Sequence, residues 1–323
     1  MKLAVEEVEA KVRQLLADRG FDAASVDVIC KPIMWAVTHG NNQGLLKLVG
    51  EPALQQDTTK REISIVKEGT ATAVIDGGDR NAMIALDFAI KKAIVMAEAA
   101  GVAVVGLRGT HSSSGVLAYY AELVSQQGFV GIVLARTPPT VAPFDVLEPF
   151  VGTNPLAYSF PTESEPLTFD MATAAIAWYG ILQAATDGTP LPEGLITDVT
   201  GQPTTDPNVA MENGLVLPFG KHKGAGLGMM VELLAGSFIG AASMTAEGEW
   251  GHLVLVLDPA MFGGRGEFRA ATSRAIATLR AAKTRDGKPV RLPGDRAKRF
   301  YADTQTTGRI EVPETVLQKL GWL

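Results

Sequence analysis

The chain has 323 residues and a mass of 34.1 kDa, enough for about two domains' worth of core. Lys and Arg total 29 against 35 Asp and Glu, a formal charge of −6 without a cluster of cations, which argues against a nucleic-acid binder that works by counterion release. Hydrophobic residues make up 46% and there is one cysteine, Cys30, so the composition is that of a globular protein with no internal disulfide and no multi-cysteine metal site.

The opening MKLAVEEVEA places Glu6, Glu7 and Glu9 where a secretory signal needs an apolar run, and a cytoplasmic protein is expected. Val5, Val8, Val12, Leu15 and Leu16 recur at helical spacing, and a second helix is predicted over residues 24–37. A polar connection from about Glu51 leads to TATAVIDGG, which reads as a strand into a turn. Leu86, Ile90, Ile94 and Ala97 then mark one face of a helix over 82–100, and VAVVGL at 102–107 is a short β-branched strand. RGTHSSSG leads into a helix with Leu117, Tyr120, Ala121 and Val124 inward, and FVGIVLA returns as a strand. Past Pro138, Pro139 and Pro143 the pattern predicts further helices and turns. The window at 227–242 is short for a membrane span, carries Glu232 and reads as a buried helix. A strand from His252, a helix over 269–282, a turn into a helix after RLPGD and a last helix in VPETVLQKL complete an alternating α/β pattern.

The four histidines, His39, His111, His222 and His252, show no metal-ligand spacing, so no metal site is expected. His111 falls where a buried strand gives way to a helix, the edge at which α/β proteins bind ligands. There it is either a proton donor beside an anion site formed with Ser112, Ser113 or Ser114, or a capping histidine. His39 follows an apolar helix, and Asp170, ahead of MATAAIAWYG, reads as a helix N-cap that could also present N–H groups to phosphate. GKHKGAGLG at 220–228 carries Lys221 and Lys223 among glycines that let backbone approach a ligand. It lacks the Gly-Lys-Ser/Thr ending of a P-loop, and Met229 stands where the dinucleotide fingerprint needs its third glycine, so an ordinary Rossmann fold is disfavoured.

THGNNQG at 38–44, RGTHSSSGVLAYYA at 108–121, GTNPLAYSFP at 152–161, DMATA at 170–174, LPFGKHKGAGLGMMVELLAG at 217–236 and RLPGDR at 291–296 together resemble the type-2 malate/L-lactate dehydrogenase family, in the family order and nearly end to end. LPEGLITDVTGQPTTDP, LPFGKHKG and Arg296 look most like its Δ1-piperideine-2-carboxylate/Δ1-pyrroline-2-carboxylate reductase branch. The resemblance implies an α/β, non-Rossmann NAD(P)-binding fold, with a mixed-sheet domain over 76–266 and a helical lobe from 1–75 with 267–323. It also implies a homodimer and an NADPH-dependent reductase, NADH being possible, that delivers hydride to the C=N of a cyclic imine or imino acid. A malate-, lactate- or sulfolactate-type 2-hydroxy-acid dehydrogenase is the alternative, and an inactive dinucleotide-binding homologue a third.

Carried over by residue, His111 and His39 are the expected active-site histidines, with Thr38 in place of the usual serine. Ser114, Gly115, Asp170, Met171, Ala172, Thr173, His222, Lys223, Gly294, Asp295 and Arg296 match stretches that line the dinucleotide, and Arg296 with Lys223 could hold a 2′-phosphate. The family arginine four residues after the Ser-His-Gly histidine is replaced by Gln43, which lacks the charge for a bidentate carboxylate clamp. Arg136, at the end of FVGIVLA, is the expected replacement.

Overall fold

The computed structural model describes residues 1–41, 43–50, 54, 61–244 and 249–323. Most of the polar connection expected from Glu51, and Asn42 of THGNNQG, lie outside them.

The centre is a seven-stranded sheet of β2 (Ser64–Glu68), β3 (Thr72–Asp76), β4 (Val102–Thr110), β5 (Val130–Arg136), β6 (Leu156–Phe160), β7 (Leu167–Met171) and β11 (Trp250–Leu257). Their order is β2-β3-β4-β11-β5-β6-β7, antiparallel throughout except for the parallel β3–β4 pair. Side-chain alternation explains why β11 takes the middle. Val254 and Val256 pack into one core with Val105, Leu107 and Val133, while Leu253 faces the opposite core with Leu134.

Two helices cover the first face, α4 (Ala82–Ala100) and α5 (Leu117–Gln126). Asn81 starts α4 by accepting the Met83 N–H at 2.9 Å, and Gly101, at φ +79°, ends it in the left-handed region open to glycine. Covering the second face is α8 (His222–Ala235). The buried helix expected in this stretch is packed on one side only, because Met230, Leu233, Leu234 and Phe238 are exposed. No helix among the described residues is long and apolar enough to cross a membrane.

A helical lobe gathers both halves of the sequence. Here α1 (Val5–Asp18), α2 (Ala23–Thr38) and α3 (Gln43–Gly50) pack Val12, Leu16, Ile33, Leu45 and Leu48 against Ile310, Val312 and Leu317. The last three come from β12 (Arg309–Glu311), the residue after it, and α11 (Glu314–Lys319), and β12 pairs antiparallel with β1 (Lys2–Ala4). Although β2 and β3 precede residue 76, they are hydrogen-bonded into the large sheet.

Between β7 and α8 the expected run of helices and turns gives way to shorter pieces. These are α6 (Trp178–Asp187), α7 (Pro207–Glu212) and a three-stranded sheet of β8 (Ile196–Thr197), β9 (Pro203–Thr204) and β10 (Leu215–Val216) around Ile181, Leu191, Ile196 and Val216. GTNPLAYSFP likewise supplies β6, which forms a hairpin with β7. The remaining helices, α9 (Arg265–Arg280) and α10 (Asp295–Thr307), flank the sheet and the lobe, and α9 has no buried residue.

Candidate active site

A cavity of about 1080 Å³ opens between the helical lobe and the sheet. The C-terminal part of α2 and the start of α3 form one wall, the turn from β4 into α5 and the strand β7 a second, and α6 with residues 294–298 the rest. Its volume exceeds what a small acid alone needs.

His39, the residue after α2, lines this cavity with its ring stacked between Trp35, at a centroid distance of 3.9 Å, and Tyr301, at 4.5 Å. Its Nδ1 lies 2.6 Å from the Trp35 carbonyl oxygen, which can only accept, so Nδ1 carries the proton and Nε2 is the acceptor. Burial lowers the imidazole pKa and favours this neutral form. Thr38 does not line the cavity: its hydroxyl donates back to the Met34 carbonyl at 2.8 Å, and its oxygen lies 3.2 Å from His39 Nδ1. Gln43 does line it, at the start of α3.

One helical turn beyond Gln43, Lys47 reaches the same cavity. Its ammonium donates to Ser113 Oγ at 2.6 Å and stands 3.3 Å from the centre of the Tyr179 ring. Lys47 and Ser113 are each 5% exposed. Ser113 Oγ also accepts the Gly115 N–H at 3.3 Å, and Ser112 Oγ accepts the Ala82 N–H. The triple serine therefore does not cap α5; it braces the start of α4 and meets Lys47. Sequence reasoning left Lys47 out. The signal was present in GLLKLVG, where one cation interrupts an otherwise apolar helix.

Asp170 is not the N-cap of the helix that follows it, since residues 167–171 are strand. Its carboxylate accepts the Ala118 N–H at 2.9 Å and so satisfies a free donor in the first turn of α5. Asp170 is deeply set yet presents much of its surface to the cavity, and desolvation pushes its pKa up to about 6 despite that hydrogen bond. The folded state therefore holds this proton more tightly than the unfolded state between about pH 4 and 6, and the contribution to stability falls as pH rises through that window. Asp170→Asn keeps an acceptor for Ala118, so the difference between wild-type and variant melting temperatures should move in the variant's favour from pH 4 to pH 6.5. Glu122, also lining, accepts from Trp35 Nε1 at 3.2 Å, and its pKa is raised, mainly by burial.

A nicotinamide dinucleotide fits the remaining wall. Ser114, Gly115, Met171, Ala172, Gly294 and Arg296 all line the cavity. Gly294, at φ +81°, brings bare backbone to it beside the Arg296 guanidinium, and a Cβ there would sit 3.0 Å from the Thr168 carbonyl oxygen. Close backbone and a cation suit a phosphate. Four expected cofactor residues stand off the lining. Thr173 is buried and donates to the Thr153 carbonyl, Asp295 is paired with Arg280 at 2.6 Å, and His222 and Lys223 are exposed at the start of α8.

Two expectations about the reacting end are corrected by placement. His111 does not line the cavity: half-exposed, it turns Nδ1 to Asp79 at 3.0 Å, because the chain needs Ser112 and Ser113 pointing inward after β4. Arg136 is fully buried and does not reach the cavity either. Its Nε donates to Glu232 Oε1 at 3.0 Å and its Nη1 to the Glu249 carbonyl, which turns it into the sheet's interior. It is therefore not placed to receive a substrate carboxylate.

Comparison with known proteins adds the following. The family model described as malate/L-lactate dehydrogenase matches residues 3–321. An L-sulfolactate dehydrogenase of Methanothermobacter thermautotrophicus is 32% identical over 99% of this chain and 95% of its own. A Δ1-pyrroline-2-carboxylate/Δ1-piperideine-2-carboxylate reductase of Pseudomonas putida is 34% identical over 76% of this chain and 73% of its own. In the solved sulfolactate dehydrogenase of Methanocaldococcus jannaschii the backbone superposes with a TM-score of 0.84 at 30% identity, covering 99% of this chain and 95% of that one.

Proposed function

Because the chain belongs to the malate/L-lactate dehydrogenase family, whose mixed-sheet fold it has and whose members are NAD(P)H-linked oxidoreductases, we propose that it interconverts a 2-oxo acid and the matching 2-hydroxy acid. The observation that carries this reading is a cavity between lobe and sheet that has Arg296 and Gly294 on one side and the Lys47–Ser113 pair on the other. The dinucleotide, when bound, supplies or takes up the hydride. The protein's share is to orient the acid, exclude water and handle the proton on oxygen.

Arg296 and Lys298 are cations in the lining and favour anionic ligands, while Gln43 adds a neutral hydrogen-bond donor in place of a bidentate clamp. The likeness to malate and sulfolactate dehydrogenases supports an oxo-acid substrate. A second reading, reduction of a cyclic imino acid, draws on the likeness to the pyrroline and piperideine carboxylate reductases. NADPH is the preferred cofactor in either, with Arg296 at its 2′-phosphate. The assembly we propose is a cytoplasmic homodimer, in which a second copy covers the exposed side of α8 and the unburied helix α9.

The test is oxidation of NADPH and of NADH, followed at 340 nm, with pyruvate, oxaloacetate, sulfopyruvate, Δ1-piperideine-2-carboxylate and Δ1-pyrroline-2-carboxylate. An oxo acid is expected to have the highest kcat/KM. A higher value for the imino acids would transfer the assignment to the second reading, and tight NADPH binding with no turnover would make the chain a binding protein.

A further inference from the structure

We propose that the hydroxyl of Ser113, recharged by the ammonium of Lys47, delivers the proton to the substrate's carbonyl oxygen. The inference rests on the oxidoreductase reading above and names the group that does its acid–base work.

A serine hydroxyl has one proton to donate and two lone pairs to accept with. Both lone pairs of Ser113 Oγ are used, by the Lys47 ammonium at 2.6 Å and by the Gly115 N–H at 3.3 Å. Its own O–H is left to point at another acceptor, and Ser113 borders the cavity. An ammonium at this distance polarises the hydroxyl, and the face of the Tyr179 ring, 3.3 Å from Nζ, favours the charged amine. With both side chains 5% exposed, bulk water is kept from the pair.

The histidine and the carboxylates of the lining have partners of their own. His39 spends its one ring proton on the Trp35 carbonyl. Glu122 and Asp170, whose pKa values burial raises, are each already held in a hydrogen bond, with Trp35 Nε1 and with the Ala118 N–H. His111 lies off the cavity on Asp79.

The step balances as follows. The dinucleotide, once bound, would supply the hydride that forms the new C–H bond at the carbonyl carbon, with the C=O π pair passing to oxygen. That oxygen takes the Ser113 proton while Oγ takes one from Lys47 Nζ, so the amine is left neutral and regains a proton from water once the hydroxy acid departs. Oxidation of the hydroxy acid runs the same transfers backwards.

Three variants test this, Ser113→Ala, Lys47→Met and Lys47→Arg, each measured for kcat, KM and NADPH binding by fluorescence. Arginine keeps the charge and a donor for Ser113 but does not give up its proton. All three are expected to lower kcat by roughly 10²- to 10⁴-fold with KM and NADPH affinity little changed, and retained NADPH binding shows that each has folded. Near-normal kcat in Lys47→Arg, with KM raised in Lys47→Met, would make Lys47 a carboxylate clamp and overturn the relay. Near-normal kcat in Ser113→Ala would overturn it too. Both results leave the oxidoreductase reading intact, whereas a wild type that binds NADPH and reduces nothing defeats that reading and the relay with it.

Discussion

Replacing Glu232 by leucine is expected to cost about 3–5 kcal/mol of folding stability, because it removes one partner of a fully buried ion pair. Glu232 and Arg136 are both fully buried, joined at 3.0 Å between Nε and Oε1. The carboxylate is saturated: Oε1 also accepts the Met244 N–H at 2.8 Å, and Oε2 accepts Asn154 Nδ2 at 2.8 Å. Asn154 in turn accepts the Thr137 N–H and donates to the Gly228 carbonyl, so one network fastens α8 to the end of β5 and the segment before β6. Removing the carboxylate takes one partner from the guanidinium and one from the amide at once. The double variant Arg136→Met with Glu232→Leu should be more stable than Glu232→Leu alone, since both members of the buried pair are removed together. Urea unfolding of the two single variants and the double variant measures the coupling. Strict additivity would show that the pair acts as two independent groups.

Acidification is expected to destabilise the protein steeply through His252. This residue is fully buried on the central strand β11, its ring nitrogens meet no hydrogen-bond partner among the described residues, and desolvation lowers its pKa to about 3. An unfolded chain takes up the imidazole proton near the usual 6.5, whereas the folded chain resists until about pH 3. Between those values the unfolded state binds more protons, so stability rises with pH and is lost as pH falls. The slope approaches about 1.4 kcal/mol per pH unit, roughly 5 kcal/mol over the whole window. His252→Leu should remove this slope and raise stability at neutral pH, since two unsatisfied polar atoms are replaced by a strand-compatible apolar side chain. Wild type and variant melted side by side from pH 4 to pH 7 isolate the effect from the carboxylates, which titrate in both. Parallel curves would mean that the ring finds a proton partner.

Most of the helices and central strands were legible because one rule governs each. Val8, Val12 and Leu16 share a helical face, VAVVGL is rich in β-branched valine, and Leu86, Ile90 and Ala97 repeat at a helical period; the helical residues are buried where the pattern put them, as are Val105 and Leu107 of the strand, while Val102 at its start is exposed. Between β7 and α8 the same logic failed, because strands of two residues such as β8 carry no period, and Asp170 imitates an N-cap while lying on a strand. At the site, His39, Gln43, Gly115 and Arg296 were found from their motifs and do line the cavity. The errors came from orientation. Which of His111, Ser112 and Ser113 points inward depends on how the backbone leaves β4, and whether Arg136 reaches substrate depends on Glu232, 96 residues further along the chain. Neither is a local property of sequence.

The pairing of β1 with β12 fixes an order of events during synthesis. Helices α1 to α3 emerge from the ribosome long before the residues that complete their core, Ile310, Val312 and Leu317. The early helices must wait through some 300 residues for their partners, a long-range closure that is slow and leaves apolar surface open meanwhile. The sheet has no such delay once β11 has been made. His39 and Gln43 meet Gly294, Arg296 and Pro313 across the cavity only when the lobe closes, so the cavity comes into being later than the sheet. A nascent chain halted before β12 would hold a nearly finished sheet and no site.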